Sequence, residues 1–216
     1  MKIANNILLK LPKHVYAITL FMVACAVLLI SGAITTSVQD FTIKSTKAFI
    51  HGTSSLHDWE SDITKIQCKG SFQSQNNRLK TLDNVEVKIM VEGIKSKEGK
   101  IMDHKTYEAF ISDKNPFIIY SFASAKVVID GLKNVTIEAL GNLTMAGVTI
   151  PTTLIAKGKE LPNGDLQLTV IKKLKMSEFN MKPPTAVLGT IKVGDEVTVN
   201  FSMVVIRAKV ALNATK

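Results

Sequence analysis

Three histidines lie beyond residue 33, His51, His57 and His104, and any metal or acid-base centre would have to be built around them. A catalytic zinc takes three protein ligands and a structural one four, and these histidines, spread over a strand, a turn and a helix start, have no such spacing. No metal is therefore expected. His57-Asp58 has the composition of a base with its orienting carboxylate, but adjacent strand residues project to opposite faces, so the pair cannot form a dyad without a kink. An enzyme acting on a lipid or quinone would need His57 as acid or base, pointing into an interior with Tyr107 or Tyr120 assisting. The sequence holds no Gly-rich phosphate loop, nucleophile elbow or paired-cysteine motif. No catalytic residue and no cofactor are assigned on this basis.

Two other side chains could contact a ligand. Trp59 is the only tryptophan and follows the interruption Gly52-Thr53-Ser54-Ser55; its ring either closes one end of a core or covers a ligand. Lys172 falls on the apolar face of a strand over 166–174, where a small or apolar residue is expected. It lies in the densest basic run, with Lys173 and Lys175, and no aromatic residues interleave there. Without a stacking platform or a concentrated basic stripe, nucleic acid is excluded as a partner, leaving a solvated strand edge or weak attraction to an anionic lipid surface.

The elements that must position these residues are strands. Between 117 and 174 each apolar run alternates with period two and each break carries Gly, Asn, Asp or Pro. One face holds Ile118, Tyr120 and Phe122, then Ile137, Ala139, Gly141 and Leu143, then Thr152, Leu154 and Ala156, then Leu168, Val170 and Leu174. Asn163-Gly164 predicts a two-residue hairpin turn. Upstream, strands are expected over 41–50 and from 56 through Phe72, followed by an amphipathic strand carrying Val85, Val87, Ile89 and Val91. Met102, Thr106, Ala109 and Phe110 share one helical face, with Asp103 as N-cap and Pro116 as stop. A long proline-stiffened loop over 177–194 precedes a last strand with Val197, Val199, Phe201, Met203 and Val205. About eight strands can close into a barrel that is either filled by side chains or holds one small ligand. The fold class is all-β, an antiparallel β-barrel with one short helix. Ile89, Val91, Ile118, Tyr120, Phe122, Leu143, Leu154, Leu168 and Val170 are the candidate lumen lining.

The chain begins differently. Lys2, Lys10 and Lys13 precede a mostly apolar stretch over 15–34, and Ser31-Gly32-Ala33 offers small residues for cleavage. Residues 1–33 thus read as a signal peptide or an uncleaved membrane anchor, with a linker over 34–40, the domain over 41–208 and a tail over 209–216. Either way the domain is expected outside the cytoplasm, periplasmic or secreted. A lipid-attachment box at Met22-Val23-Ala24-Cys25 is a third reading, opposed by the apolar run that follows the cysteine. Beyond residue 33 there are 24 basic and 18 acidic residues, a net of +6, and Cys68 stands alone, so no internal disulfide is possible. Four glycosylation-type triplets, at Asn134, Asn142, Asn200 and Asn213, read as chance matches in an unglycosylated host.

Gly-Thr-Ser-Ser-Leu-His-Asp-Trp-Glu (52–60), Lys-Thr-Tyr-Glu-Ala (105–109) leading to Asn115-Pro116, Gly-Asn-Leu-Thr-Met-Ala-Gly-Val-Thr (141–149) and Val-Gly-Asp-Glu-Val (193–197) occur in an order that resembles the YceI-like family of exported bacterial proteins. The first of these, with Lys182-Pro183-Pro184, is similar to a branch found in Bacteroidetes-type bacteria. The resemblance covers about residues 41–206 and implies an extended, lipocalin-like barrel, usually periplasmic, with a polyisoprenoid or similar apolar lipid in its lumen. Lys172 is then either a departure that alters the lumen or a group near its mouth. If the 52–59 turn and the 177–194 loop meet at one end, His57, Trp59 and Lys172 form a polar lip to an apolar shaft. A structural or stress-related protein with a filled barrel is the other non-enzymatic reading.

Overall fold

Period-two alternation closes on itself here. The computed structural model describes residues 36–75 and 78–207. Its strands are β1 (Thr36–Ser54), β2 (Trp59–Ile63), β3 (Ile66–Gln75), β4 (Arg78–Met90), β5 (Ile94–Ser96), β6 (Phe117–Ile129), β7 (Asn134–Met145), β8 (Val148–Glu160), β9 (Leu166–Lys175), β10 (Thr185–Ala186) and β11 (Ile191–Arg207), with one helix, α1 (Lys100–Phe110). All pairings are antiparallel. Eight strands form a ring in the order β1, β3, β4, β6, β7, β8, β9, β11 and back to β1. The short β2, β5 and β10 lie outside the ring, β2 and β5 continuing from β1 and β10 pairing with the start of β11.

Two bulges let long strands serve two regions of the interior. The register of β1 against β11 shifts between Ile43 and Ser45. Below that shift Phe41 and Ile43 face the interior; above it Ala48 and Ile50 do. An extra residue inverts which side chains point inward, and it also bends the strand. In β6 the shift between Phe122 and Ser124 has the same effect, so Ile118 and Tyr120 give way to Ala125, Val127 and Ile129. The expected run Ile118, Tyr120, Phe122 ends at this bulge, and Phe122 belongs to neither core cluster.

Those two regions differ in packing. At the end that holds the β6–β7 and β8–β9 turns, Phe72, Leu79, Val135, Ile137, Leu166, Leu168 and Val205 fill the barrel. At the other end a second cluster surrounds open space and includes Ala48, Ile63, Ile94, Phe110, Ile118, Tyr120, Leu143, Phe179 and Phe201.

Several expectations need correction. The strand expected from 56 to Phe72 is two strands, because Thr64 donates its N–H and its hydroxyl to the Gly93 carbonyl, both at 2.8 Å, and pulls the chain out of line. Val91 is fully buried but lies in a 3-10 turn (Val91–Gly93) rather than on β4, its N–H bonded to the Pro116 carbonyl. Asp103 is not the N-cap of α1. Gly99 occupies that position, while the Asp103 carboxylate accepts the Ser96 N–H at 2.6 Å and faces Lys95 at 3.6 Å, tying helix to β5. From Thr36 the expected linker is already strand, paired with β3. The Asn163-Gly164 turn has three residues: Gly164 donates to Leu161 and alone takes a positive φ, and Asn163 bonds Asp165 through its side chain. The loop over 177–194 contains a 3-10 turn (Met176–Phe179) and the β10–β11 hairpin. The expected signal or anchor and the tail lie outside the described residues.

Candidate functional site

The open half of the barrel holds a cavity of about 200 Å³. Its wall includes Val193 and Met203 on β11, and ten strand residues at the tilt of an eight-stranded barrel span ~25 Å along the axis. The structure places Ile89, Ile118, Tyr120, Leu143, Leu154 and Val170 on this wall, together with Trp59 and Lys172. Leu168 is in the filled half, Val91 is packed behind the wall, and Phe122 is at the bulge, so none of these three meets the cavity. His57 is exposed on the 52–59 turn and also off the wall.

Tyr120 helps form the floor. Its hydroxyl donates to the Ala139 carbonyl at 3.0 Å, with the Thr152 carbonyl at 3.3 Å, and burial pushes its pKa up to about 12. The ring fits only because residue 141 is glycine. A Cβ there would stand 2.7 Å from the Tyr120 ring and 2.5 Å from the Ser121 carbonyl oxygen.

Opposite this floor, the two unusual loops meet. Ser55 donates its N–H to the Lys192 carbonyl at 2.9 Å, and Lys192 donates its own to the Ser55 hydroxyl at 3.0 Å. Trp59 is fixed from both sides: its indole N–H donates to the Thr53 carbonyl at 3.0 Å, and its ring covers Gly52, where a Cβ would come within 2.6 Å. Ser54 holds the turn above, accepting the N–H groups of Leu56 and His57. Met102, Thr106, Ala109 and Phe110 on α1 add to the wall, which makes the inward helical face read from the sequence part of the lining.

Polar groups are few and cluster at this end. Ser61, Ser96 and Glu98 reach the cavity from β2, β5 and the turn before α1. Lys172 is the one basic side chain in the wall among the described residues, and it stands at a break in the ring. The β8–β9 ladder stops at Ala156 and Val170, so residues 148–155 of β8 and 171–175 of β9 have no partners in each other. Pro151, which has no N–H to give, is tolerated in β8 beside such a break. Lys172 crosses the break, donating its ammonium to the Thr153 carbonyl at 3.2 Å. The 3-10 turn with buried Met176 and Phe179 packs against β8 and β9 beside it.

A family model described as a YceI-like domain matches residues 41–205, most of the chain. The chain belongs to the YceI-like family. No curated protein matches it in sequence. Among solved structures, BcnA of Burkholderia cenocepacia is similar with a TM-score of 0.57 at 14% identity, over 74% of this chain and 95% of that one. A YCEI protein of Campylobacter jejuni gives 0.51 at 19%, over 69% and 84%. A polyisoprenoid binding domain from Saccharophagus degradans, implicated in plant cell wall breakdown, gives 0.58 at 7%, over 81% and 99%. At these identities the likeness is one of fold.

The trio required for lipid or quinone chemistry is not assembled in this YceI-like barrel. Among the described residues the His57 ring meets the backbone carbonyl of Asp58 alone, at 2.6 Å. Tyr107 points its hydroxyl at the carbonyls of Glu92 and Ile94, away from the wall, and Tyr120 is spent on the floor. Sequence reasoning left out much of the wall that β11 supplies, Val197, Val199, Phe201 and Met203, and also Met176, Met181 and Pro184. The alternation of β11 was a usable signal for the first four. The other three lie in a segment without periodicity and had none.

Proposed function

We propose that this protein binds one apolar lipid chain, a polyisoprenoid, in the half-hollow barrel and carries it without altering it chemically. The observation that supports this most is the apolar cavity beside a filled half and with polar groups in its wall, since a lipid site needs apolar walls and a few groups to fix the head. The ligand class is also supported by the Saccharophagus degradans domain, whose structure is described as polyisoprenoid binding. In this scheme the chain's tail reaches Tyr120, Trp59 covers its first units, and an anionic or carbonyl head stops at Lys172. A charged head is not drawn deeper because the lower walls offer it no partner. Lys172 uses one of its three N–H donors on Thr153, which leaves it able to receive a phosphate oxygen. The basic flank and apolar stretch at the start of the sequence favour work outside the cytoplasm, periplasmic or membrane-anchored.

Mass spectrometry of lipid extracted from protein purified without detergent tests the function. A prenyl lipid in stoichiometric amount is expected. Repeatedly empty protein that also fails to take up added prenols would overturn it. Cell fractionation tests the location, with the domain expected to be accessible to protease from the outer side of the cytoplasmic membrane.

A further inference from the structure

The hairpin between β10 and β11 breaks the usual rule for tight turns. Ala186 pairs with Ile191, so four residues close the loop, with Gly189 donating its N–H to the Ala186 carbonyl and Thr190 its own to the Val187 carbonyl, both at 3.1 Å; Val187, Leu188 and Gly189 take φ of 48°, 55° and 86°. Positions in this left-handed region favour Gly and Asn, because L side chains resist it, β-branched ones most of all. This chain instead places its valine and leucine there and shows them to solvent, Val187 66% and Leu188 106% exposed. Neither belongs to a core cluster. The fold therefore gains nothing from them that Asn-Gly would not supply better.

Position gives them a use. The finger starts at the cavity wall, where Val193 donates to the Pro184 carbonyl at 3.1 Å and both residues line the shaft. Its base is bonded to the 52–59 turn through Ser55, which brings a third exposed apolar side chain, Leu56 at 66%, to the same rim. Over residues 53–58 and 182–192 the charged groups are Lys182 and Lys192 against Asp58. Exposed apolar tips can enter the acyl boundary of a bilayer while Lys182 and Lys192 meet its anionic headgroups.

We propose that the Val187-Leu188 finger and Leu56 dock the cavity's polar end onto an anionic bilayer, so that an apolar chain passes between membrane and barrel without crossing water. This rests on the lipid-binding reading above. The test is a double substitution that keeps the turn: Val187→Asn with Leu188→Gly supplies the preferred residues and removes the apolar tip. Wild type is expected to float with vesicles of phosphatidylcholine mixed with phosphatidylglycerol, and less with phosphatidylcholine alone. The variant should bind the mixed vesicles at least about tenfold more weakly, since two apolar side chains no longer enter the membrane. Its thermal midpoint should be equal or higher, which shows that the fold is intact.

Equal vesicle binding by the variant, or none by wild type, overturns the proposal. So does a wild-type dimer by light scattering that the variant dissolves, because the finger would then serve a second copy of this chain. Loading both proteins with a detergent-solubilised prenol separates the two claims. Uptake by both with no vesicle binding sinks the docking alone, whereas no uptake by either sinks the lumen reading.

Discussion

Replacing Val170 by Phe puts four extra carbons into the shaft between the floor and Lys172. Val170 lies on the cavity wall opposite Phe201 of β11 and beside Ala156 of β8, where the β8–β9 ladder ends. If the shaft is open, the larger ring enters existing space. At about 0.8 kcal/mol per buried CH₂ the upper limit is about 3 kcal/mol, and imperfect fit brings the expected gain in the lipid-free protein to ~1 kcal/mol. That corresponds to a rise of about 2–4 °C in Tm for a domain of this size. The same ring takes up cavity space that a bound chain would occupy, so the Kd for a long prenol should rise at least about tenfold. Calorimetry on delipidated protein and a titration followed by Trp59 fluorescence read the two effects. A loss of about 1–3 kcal/mol, the usual cost of overpacking, would show that the space is a packed core. Unchanged prenol affinity would show that the chain does not pass Val170.

Lys172→Met should weaken binding of a prenyl phosphate by about 1.5–3 kcal/mol, the worth of a hydrogen bond to a charged group, and leave the uncharged prenol alone; equal effects on both ligands, or none, would move the head elsewhere. Gly141→Ala should cost about 3 kcal/mol, because its methyl must displace a Tyr120 ring 2.7 Å away and with it the bond to Ala139, and urea unfolding that finds less than 1 kcal/mol would refute the floor's packing. Burial pushes the Cys68 thiol up to about 11 from an ordinary 9.0. The unfolded thiol ionises first as pH rises, so up to about 2 kcal/mol of stability is lost between pH 9 and 11. Cys68→Ser should flatten that part of the stability profile relative to wild type, and parallel profiles would contradict the thiol's burial.

Alternation told a good deal about direction and little about filling. Leu168 and Val170 share one face of β9, yet Leu168 belongs to the packed half and Val170 to the cavity wall. What separates them is what the other elements send inward, Phe72 of β3 and Leu79 of β4 in one half and the smaller Ser61 of β2 and Ala109 of α1 in the other. Phase changes were legible in principle. The imperfect alternation over 41–50 is the β1 bulge, and the switch from Tyr120 to Ala125 is the bulge in β6. Val91 continued the β4 pattern in sequence, but its N–H is claimed by Pro116, a contact that no local pattern encodes. Lys172 could be placed inward by parity alone. That it bridges an unpaired stretch of the ring depends on where the β8–β9 ladder ends, and periodicity carries no such information.

A prenol carrying a photoreactive group near its tail tests most directly whether lipid occupies the lumen. After irradiation and digestion, cross-links are expected on Ile118, Leu143 and Leu154 in the cavity wall, and competition by unlabelled prenol should remove them. Cross-links confined to outward residues such as Leu140, Ile155 and Ile171, with the lumen residues unlabelled, would contradict the account.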